Sequence, residues 1–138
     1  MTTQPTAIGV AVVEKNDCYL VGIRGSDEPL AELAEFPGGK CEVGETPVDC
    51  ARRECFEETG LLVETIELLF SGTFQYTYGK VDLHFWLCQP AHLDFVADKY
   101  RSFHWVPVLE LPSMKFPRAN QPVIDMLVNR ATQSGHRC

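Results

Sequence analysis

Residues 38–61 read GGKCEVGETPVDCARRECFEETGL. Within them, 47–59 (PVDCARRECFEET) carries a helix signature. Thr46 is a candidate N-cap, Pro47 suits a first turn whose N–H has no partner in any case, and Gly60 suits the C′ position. Val48, Ala51, Cys55 and Phe56 would form the buried stripe, with Arg52, Arg53, Glu54, Glu57 and Glu58 around the rest. Glu54, Glu57 and Glu58 stand at i, i+3 and i+4, so all three carboxylates leave one side of the helix. Like charges so spaced destabilise a helix by about 0.2–0.5 kcal/mol per pair. A divalent cation reverses the sign of that interaction, and hard carboxylate oxygens suit Mg²⁺ or Mn²⁺. Gly38 and Gly39 let the backbone pass close to the helix and offer a carbonyl or N–H to the same metal or to a phosphate. An E-x-x-E-E on its own would also suit a merely solvated helix face, with Arg53 a surface ion pair.

Working outward, 7–13 (AIGVAVV) and 18–23 (CYLVGI) are apolar runs separated by the polar turn EKND at 14–17, which predicts a hairpin. Residues 24–35 read as a surface loop. A strand-like stretch covers 66–78, Gly79-Lys80 reads as a turn, and in 81–87 Val81, Leu83, Phe85 and Leu87 share one face. A short strand is expected at 102–106. The last element is a helix over 121–131, where Val123, Ile124, Leu127, Val128 and Ala131 repeat at helical spacing. Strands interleaved with helices suggest helices packed on a sheet, an α+β class, in one domain over 1–138 with frayed ends at 1–5 and 132–138.

The chain has 138 residues, 45% hydrophobic and 22% charged, which suits a globular protein. That length buries roughly 70% of the surface its unfolded form exposes, so a core needs no staples. The formal charge of −7 speaks against a nucleic-acid polymer and against an anionic membrane surface. A small polyanion remains possible where metal cations mask the charge. Six cysteines, Cys18, Cys41, Cys50, Cys55, Cys88 and Cys138, show no metal-ligand spacing, and no secretory signal or membrane span is visible. Reduced, mostly buried thiols in a cytoplasmic protein are expected. His84, His92, His104 and His136 show no ligand spacing.

The spacing of Gly39, Glu45, Arg53-Glu54, Glu57-Glu58, Gly60 and Leu61 resembles the Nudix box, G-x5-E-x7-R-E-U-x-E-E-x-G-U, with U a bulky aliphatic residue. Chance agreement at seven named positions is on the order of 10⁻⁹ for a given start. Cys55 departs from the pattern at the first U, where it packs as a small hydrophobe. The resemblance implies an α/β/α sandwich around a mixed sheet and hydrolysis of a nucleoside diphosphate linked to a further group. It implies that Glu54, Glu57 and Glu58 hold Mg²⁺ (Mn²⁺ as substitute) with the Gly38 or Gly39 carbonyl, and that the metal activates a water at phosphorus. It also makes Glu54 a candidate base and has Arg53 and Glu45 pair to hold the helix. Asp98 is a candidate further acid, with an ordinary loop residue as the alternative.

Outside the box, EFPGGK at 35–40 and FPRANQPVI at 116–124 resemble the MutT subgroup, which removes oxidised guanine nucleotides from the DNA precursor pool. The likeness spans about residues 7–128 and implies 8-oxo-dGTP plus water going to 8-oxo-dGMP and pyrophosphate. Asn120 would read the base, because an amide donates and accepts at once; it could equally cap the following helix. Arg24, Glu35, Phe36, Pro37 and Gly38 are the other candidate substrate contacts, with core packing the alternative for Phe36 and Pro37. Lys80 is a candidate phosphate contact, while Phe74, Tyr76 and Tyr78 read as alternating strand residues. A monomer acting on a small nucleoside triphosphate is expected. Two other readings are a related enzyme for CTP, another modified dNTP or a broad dNTP range, and a catalytically silent nucleotide-binding module.

Overall fold

The computed structural model describes residues 4–24, 33–92 and 103–134. Strand β1 (Thr6–Lys15) turns into β2 (Cys18–Ile23) through Asn16 and Asp17, whose φ angles are 52° and 63°. Two positive φ angles make the tight turn that matches strand twist, and Asn and Asp tolerate them at little cost. The chain continues through β3 (Ala34–Glu35), β4 (Gly38–Lys40), α1 (Pro47–Thr59), β5 (Val63–Tyr76), β6 (Gly79–Pro90) and β7 (His104–Pro107). Two short 3-10 segments, Val108–Ser113 and Arg118–Asn120, lead into α2 (Gln121–Ser134). Among the described residues, no helix is long and apolar enough to cross a membrane.

The strands join in the order β3-β2-β1-β6-β5, with β4 added to β1 and β7 to β2. β1 runs parallel to β6 while its pairings with β2 and β4 are antiparallel, so the sheet is mixed. β2 pairs with β1 only at Glu14↔Tyr19 and Lys15↔Cys18, which leaves the β1 edge at Ile8–Val10 for β4. Alternation along β1 feeds two cores. Val10 and Val12 join Val81, Leu83, Phe85 and Leu87 of β6 and Val123, Ile124 and Leu127 of α2. Ala11 and Val13 join Ala51 and Cys55 of α1 and Cys88 of β6. One helix layer on each face gives the expected sandwich. α1 sits very close to β1: a Cβ on Gly9 would fall 2.7 Å from the Ala51 nitrogen and closer still to the Pro47 carbonyl.

Helix α1 has the expected bounds. Thr46 Oγ1 accepts from the Asp49 N–H at 3.2 Å, and Gly60 is left-handed with its N–H on the Phe56 carbonyl. Its buried row is Cys50, Ala51, Cys55 and Thr59. Phe56, expected inside, is 48% exposed, because one residue past Cys55 is about 100° away from the row that meets β1.

The loop reading of 24–35 is corrected at its end: Ala34 and Glu35 pair with Ile23 and Gly22. The turn expected at Gly79-Lys80 lies two residues earlier, at Thr77-Tyr78, because Gly79 pairs with Tyr76 and Lys80 with Gln75. β5 starts at Val63, before the expected 66, and the last helix runs to Ser134, past 131. The strand expected at 102–106 is His104–Pro107, and Ser102 lies outside the described residues.

Candidate functional site

The site is built where α1 crosses β4. Gly39 pairs with Gly9 in the ladder, so Gly38 and Lys40 direct their backbone groups to the other edge, toward α1. The Gly38 N–H donates to Glu58 Oε1 at 3.2 Å, and the Lys40 carbonyl accepts from Arg53 Nη2 at 3.1 Å. A strand residue turns its N–H and C=O to the same edge, so the Gly38 carbonyl also faces the acidic side of α1. The Gly39 carbonyl accepts from the Cys50 thiol at 3.2 Å. Glu54 lies flat on Gly39: a Cβ there would fall 2.6 Å from both carboxylate oxygens. The glycine therefore makes room for the acid.

Arg53 organises the acids. Its Nε and Nη2 grip Glu45 at 2.8 and 2.9 Å, a two-pronged ion pair. Its Nη1 reaches Glu54 at 3.0 Å and Glu57 at 3.1 Å. Glu45 also accepts from the Glu42 N–H at 2.9 Å, so it ties the loop before α1 to the helix. The bonds from Arg53, then the one from the Glu42 backbone, hold the Glu45 carboxyl at about 2, well below its ordinary 4.5. Glu45 first, and then Glu54, hold the Arg53 guanidinium charged far above the usual range. One guanidinium thus lies within 4 Å of four carboxylates, Glu42, Glu45, Glu54 and Glu57. Glu58 adds a fifth carboxylate on the Gly38 side, so the site has an excess of negative charge.

This donor set fits a hard divalent cation: it offers oxygens only, in negative excess, beside a backbone carbonyl. As placed, no three of the described His, Cys, Asp or Glu side chains are gathered into a ready cage. Glu54 and Glu57 are drawn to Arg53 and Glu58 to the Gly38 N–H. The holders would be Glu54, Glu57, Glu58 and the Gly38 carbonyl. Asp98 lies outside the described residues.

On the other face of β4 is a cavity of about 200 Å³, and five of the six candidate substrate contacts line it: Arg24, Glu35, Phe36, Gly38 and Asn120. Pro37 does not; it is fully buried and its carbonyl accepts from the Ala11 N–H at 2.8 Å. Ile8, Val10, Leu83 and Phe85 also line the cavity. Sequence reading counted the last two only as strand core, although their alternation already put them on one face. Phe36 is both core and wall, 4% exposed and stacked on Phe116 at 4.9 Å. Arg24 Nη1 meets Glu35 Oε1 at 3.1 Å.

Asn120 ends the turn before α2. Its Nδ2 donates to the Pro117 carbonyl at 3.2 Å. Among the described residues, no helix N–H donates to its Oδ1, so its amide does not cap α2. Lys80 is exposed on the β5–β6 hairpin and does not line the cavity. Phe74 and Tyr76 pack against the core as strand residues do.

Comparison with known proteins gives a consistent result. The family described as NUDIX domain matches residues 3–127. The 8-oxo-dGTP diphosphatase of Escherichia coli (strain K12) is 31% identical over 121 residues, covering 88% of this chain and 93% of that protein. The CTP pyrophosphohydrolase of the same organism is 25% identical over 115 residues, covering 83% and 85%. In structure, a MutT protein of the Nudix hydrolase family from methicillin-resistant Staphylococcus aureus 252 superposes with a TM-score of 0.76 at 22% identity, covering 94% of this chain and 99% of that one.

Proposed function

This chain belongs to the NUDIX family, and we propose that it is a nucleoside triphosphate pyrophosphohydrolase that converts 8-oxo-dGTP and water to 8-oxo-dGMP and pyrophosphate. One observation carries the choice of substrate class. The cavity holding Arg24, Glu35, Phe36 and Asn120 shares Gly38 and Gly39 with the acidic helix. A nucleotide seated with its base in the cavity therefore extends its phosphates over β4 toward Glu54, Glu57 and Glu58. The relative named as an 8-oxo-dGTP diphosphatase supports the oxidised purine.

Asn120 supplies the discrimination. One Nδ2 hydrogen is held by the Pro117 carbonyl. The second hydrogen and Oδ1 are left to donate to O6 and to accept from N7–H of 8-oxoguanine. In unmodified guanine N7 is an acceptor, so Oδ1 faces another lone pair. Phe36 and Phe116 provide the apolar wall, and the Arg24–Glu35 pair borders the same cavity.

Members of this family generally need a divalent metal, and Mg²⁺ suits these oxygens, with Mn²⁺ as a substitute. When bound, it supplies charge neutralisation of the phosphates and a water of lowered pKa. The chain's own residues do the rest. Arg53 and Glu45 hold α1 against β4, Gly39 sets the depth at which Glu54 sits, and Glu54 is the base that takes a proton from the attacking water in this reading. The enzyme acts as a monomer in the cytoplasm, where nucleotide precursors are made and oxidised.

The test is hydrolysis of 8-oxo-dGTP and dGTP side by side with Mg²⁺, with nucleotide and phosphate products separated. Strong preference for 8-oxo-dGTP with release of pyrophosphate is expected. The CTP pyrophosphohydrolase likeness supplies the rival reading: preference for CTP in the same assay overturns the base assignment and leaves the hydrolase standing.

A further inference from the structure

Two cysteines flank the acidic site and have no part in the reaction derived above. Cys50 is wholly buried in the first turn of α1, with its Sγ on the Gly39 carbonyl at 3.2 Å and 4.0 Å from Arg53 Nη2. Cys41 directly follows β4 and prolongs its ladder, its N–H donating to the Ala7 carbonyl at 2.9 Å. Two residues beyond Gly39 on an extended strand, Cys41 points its side chain to the same face as Gly39 does, toward α1. Cys50 packs on the Gly39 carbonyl and Cys41 leaves the same face of the strand two residues on, so the two thiols lie beside each other over β4, Cys41 half-buried and Cys50 shielded. Burial is the largest cause that pushes the Cys50 thiol up to about 12, and Cys41 adds to it.

We propose that Cys41 and Cys50 form a reversible disulfide under hydroperoxide, and that closing it displaces Gly39 and the Glu54 carboxylate resting on it. The half-exposed Cys41 sulfur attacks hydrogen peroxide; the O–O bond breaks, the sulfur gives up two electrons to become a sulfenic acid, and one water leaves. The Cys50 sulfur then attacks the Cys41 sulfur. The S–S bond forms as the S–O bond breaks, and the departing hydroxide takes the Cys50 proton as the second water. Two thiols are oxidised and one peroxide is reduced to two waters. Cys50 must leave the Gly39 carbonyl to make this bond. Glu54 already fills the space a Cβ on Gly39 would need, so β4 has no slack there.

Trypsin places both cysteines in one peptide, residues 41–52, between the cuts after Lys40 and Arg52. The full-length protein is treated with hydrogen peroxide, alkylated, digested and weighed, and turnover is followed in parallel. Peptide 41–52 is expected about 2 Da lighter and free of alkylation, with dithiothreitol restoring both thiols. Turnover should fall at least fivefold with it and return on reduction. Cys41→Ser should keep its turnover through the same treatment. In Cys50→Ser, the sulfenic acid at Cys41 should persist and be trapped by dimedone. The proposal is overturned if the wild-type peptide keeps two alkylatable thiols, if Cys41 proceeds to sulfinic acid beside a reduced Cys50, or if the bond forms and turnover is unchanged.

Discussion

Gly39→Ala tests whether the depth of Glu54 matters more to the reaction than to the fold. The φ of Gly39 is not in the left-handed region, so alanine meets no backbone obstacle. Its Cβ would lie 2.6 Å from both Glu54 oxygens. Apolar contact settles near 3.5 Å, so the carboxylate must retreat by about 0.9 Å. Arg53, 3.0 Å away, must follow or let go. A displacement of about 1 Å in a catalytic group costs on the order of 10²-fold in rate, or about 2.7 kcal/mol of barrier. The stability cost is smaller, about 0.5–1 kcal/mol, because what moves is the end of a flexible side chain and one partly exposed ion pair. The assay is kcat from pyrophosphate release at saturating nucleotide and Mg²⁺, with Tm measured on the same samples. The contrasting variant is Gly79→Ala: φ is +136° there and nothing lies near its Cβ. It should lose about 1–3 kcal/mol of stability to backbone strain and keep its kcat. A Gly39→Ala enzyme with wild-type kcat, or one inactive only because it unfolds, refutes the reasoning.

Three other outcomes follow from the same geometry. Asn120→Ala removes the Oδ1 acceptor that tells N7–H from a bare N7, the bond to O6 being common to both nucleotides; at about 1–1.5 kcal/mol for that one hydrogen bond, the ratio of kcat/KM for 8-oxo-dGTP over dGTP should drop by about 5- to 13-fold, and an unchanged ratio removes Asn120 from base reading. The Glu45 carboxyl sits at about 2 in the folded chain against an ordinary 4.5; its stabilising share is therefore complete above the ordinary value and is lost as pH falls from there toward 2. Melting curves of wild type and Glu45→Gln should thus lie furthest apart at neutral pH and converge in acid, whereas a constant gap would show that the ion pair is not what separates them. Titrating Mg²⁺ into chelator-treated protein should raise Tm, since binding to the folded state alone stabilises it. Glu57→Gln should weaken that rise and abolish Mg²⁺-dependent turnover; a Tm indifferent to the metal would argue against the oxygen set on α1.

The elements legible in the sequence are those whose signals are local. Thr46, Pro47 and Gly60 mark both ends of α1 within fifteen residues, and the alternation of Val81, Leu83, Phe85 and Leu87 marks β6. The parts that were not legible depend on distant partners. Ala34-Glu35 is too short to show a period and becomes a strand only because the end of β2 offers Gly22 and Ile23. Gly38–Lys40, with its two glycines, carries no strand signal of its own and becomes a strand where the free edge of β1 receives it. Phe56 looks apolar enough for the core, but burial depends on which side of α1 meets Gly9, and that contact is set 47 residues earlier in the chain. In the site, the placement of Glu54, Glu57 and Glu58 on one side of α1 was readable from spacing, while the pairing of Glu45 with Arg53 followed only from the resemblance to the family box. The sharing of Gly38 and Gly39 between the acidic helix and the cavity lined by Phe36 and Asn120 was not, since it needs β4 in place.

That sharing explains why so short a strand carries so much. β4 has three residues and two faces, and two backbone groups on its outer edge hold side chains of α1. The Gly38 N–H holds Glu58, the Lys40 carbonyl holds Arg53, and the Gly38 carbonyl is left toward the acids. A side chain on Gly39 would push Glu54 away, and one on Gly38 would run into the Gly9 carbonyl and Val10. Widening β4 against α1 and widening it against β1 are thus separate injuries, the first to chemistry and the second to the sheet. Gly38→Ala should accordingly lower Tm and kcat together, unlike Gly39→Ala, because its Cβ would press on backbone atoms at 2.7 and 3.0 Å that no rotamer change can move. Equal Tm losses in the two variants would mean that β4 yields as a unit and that its two faces are not independent.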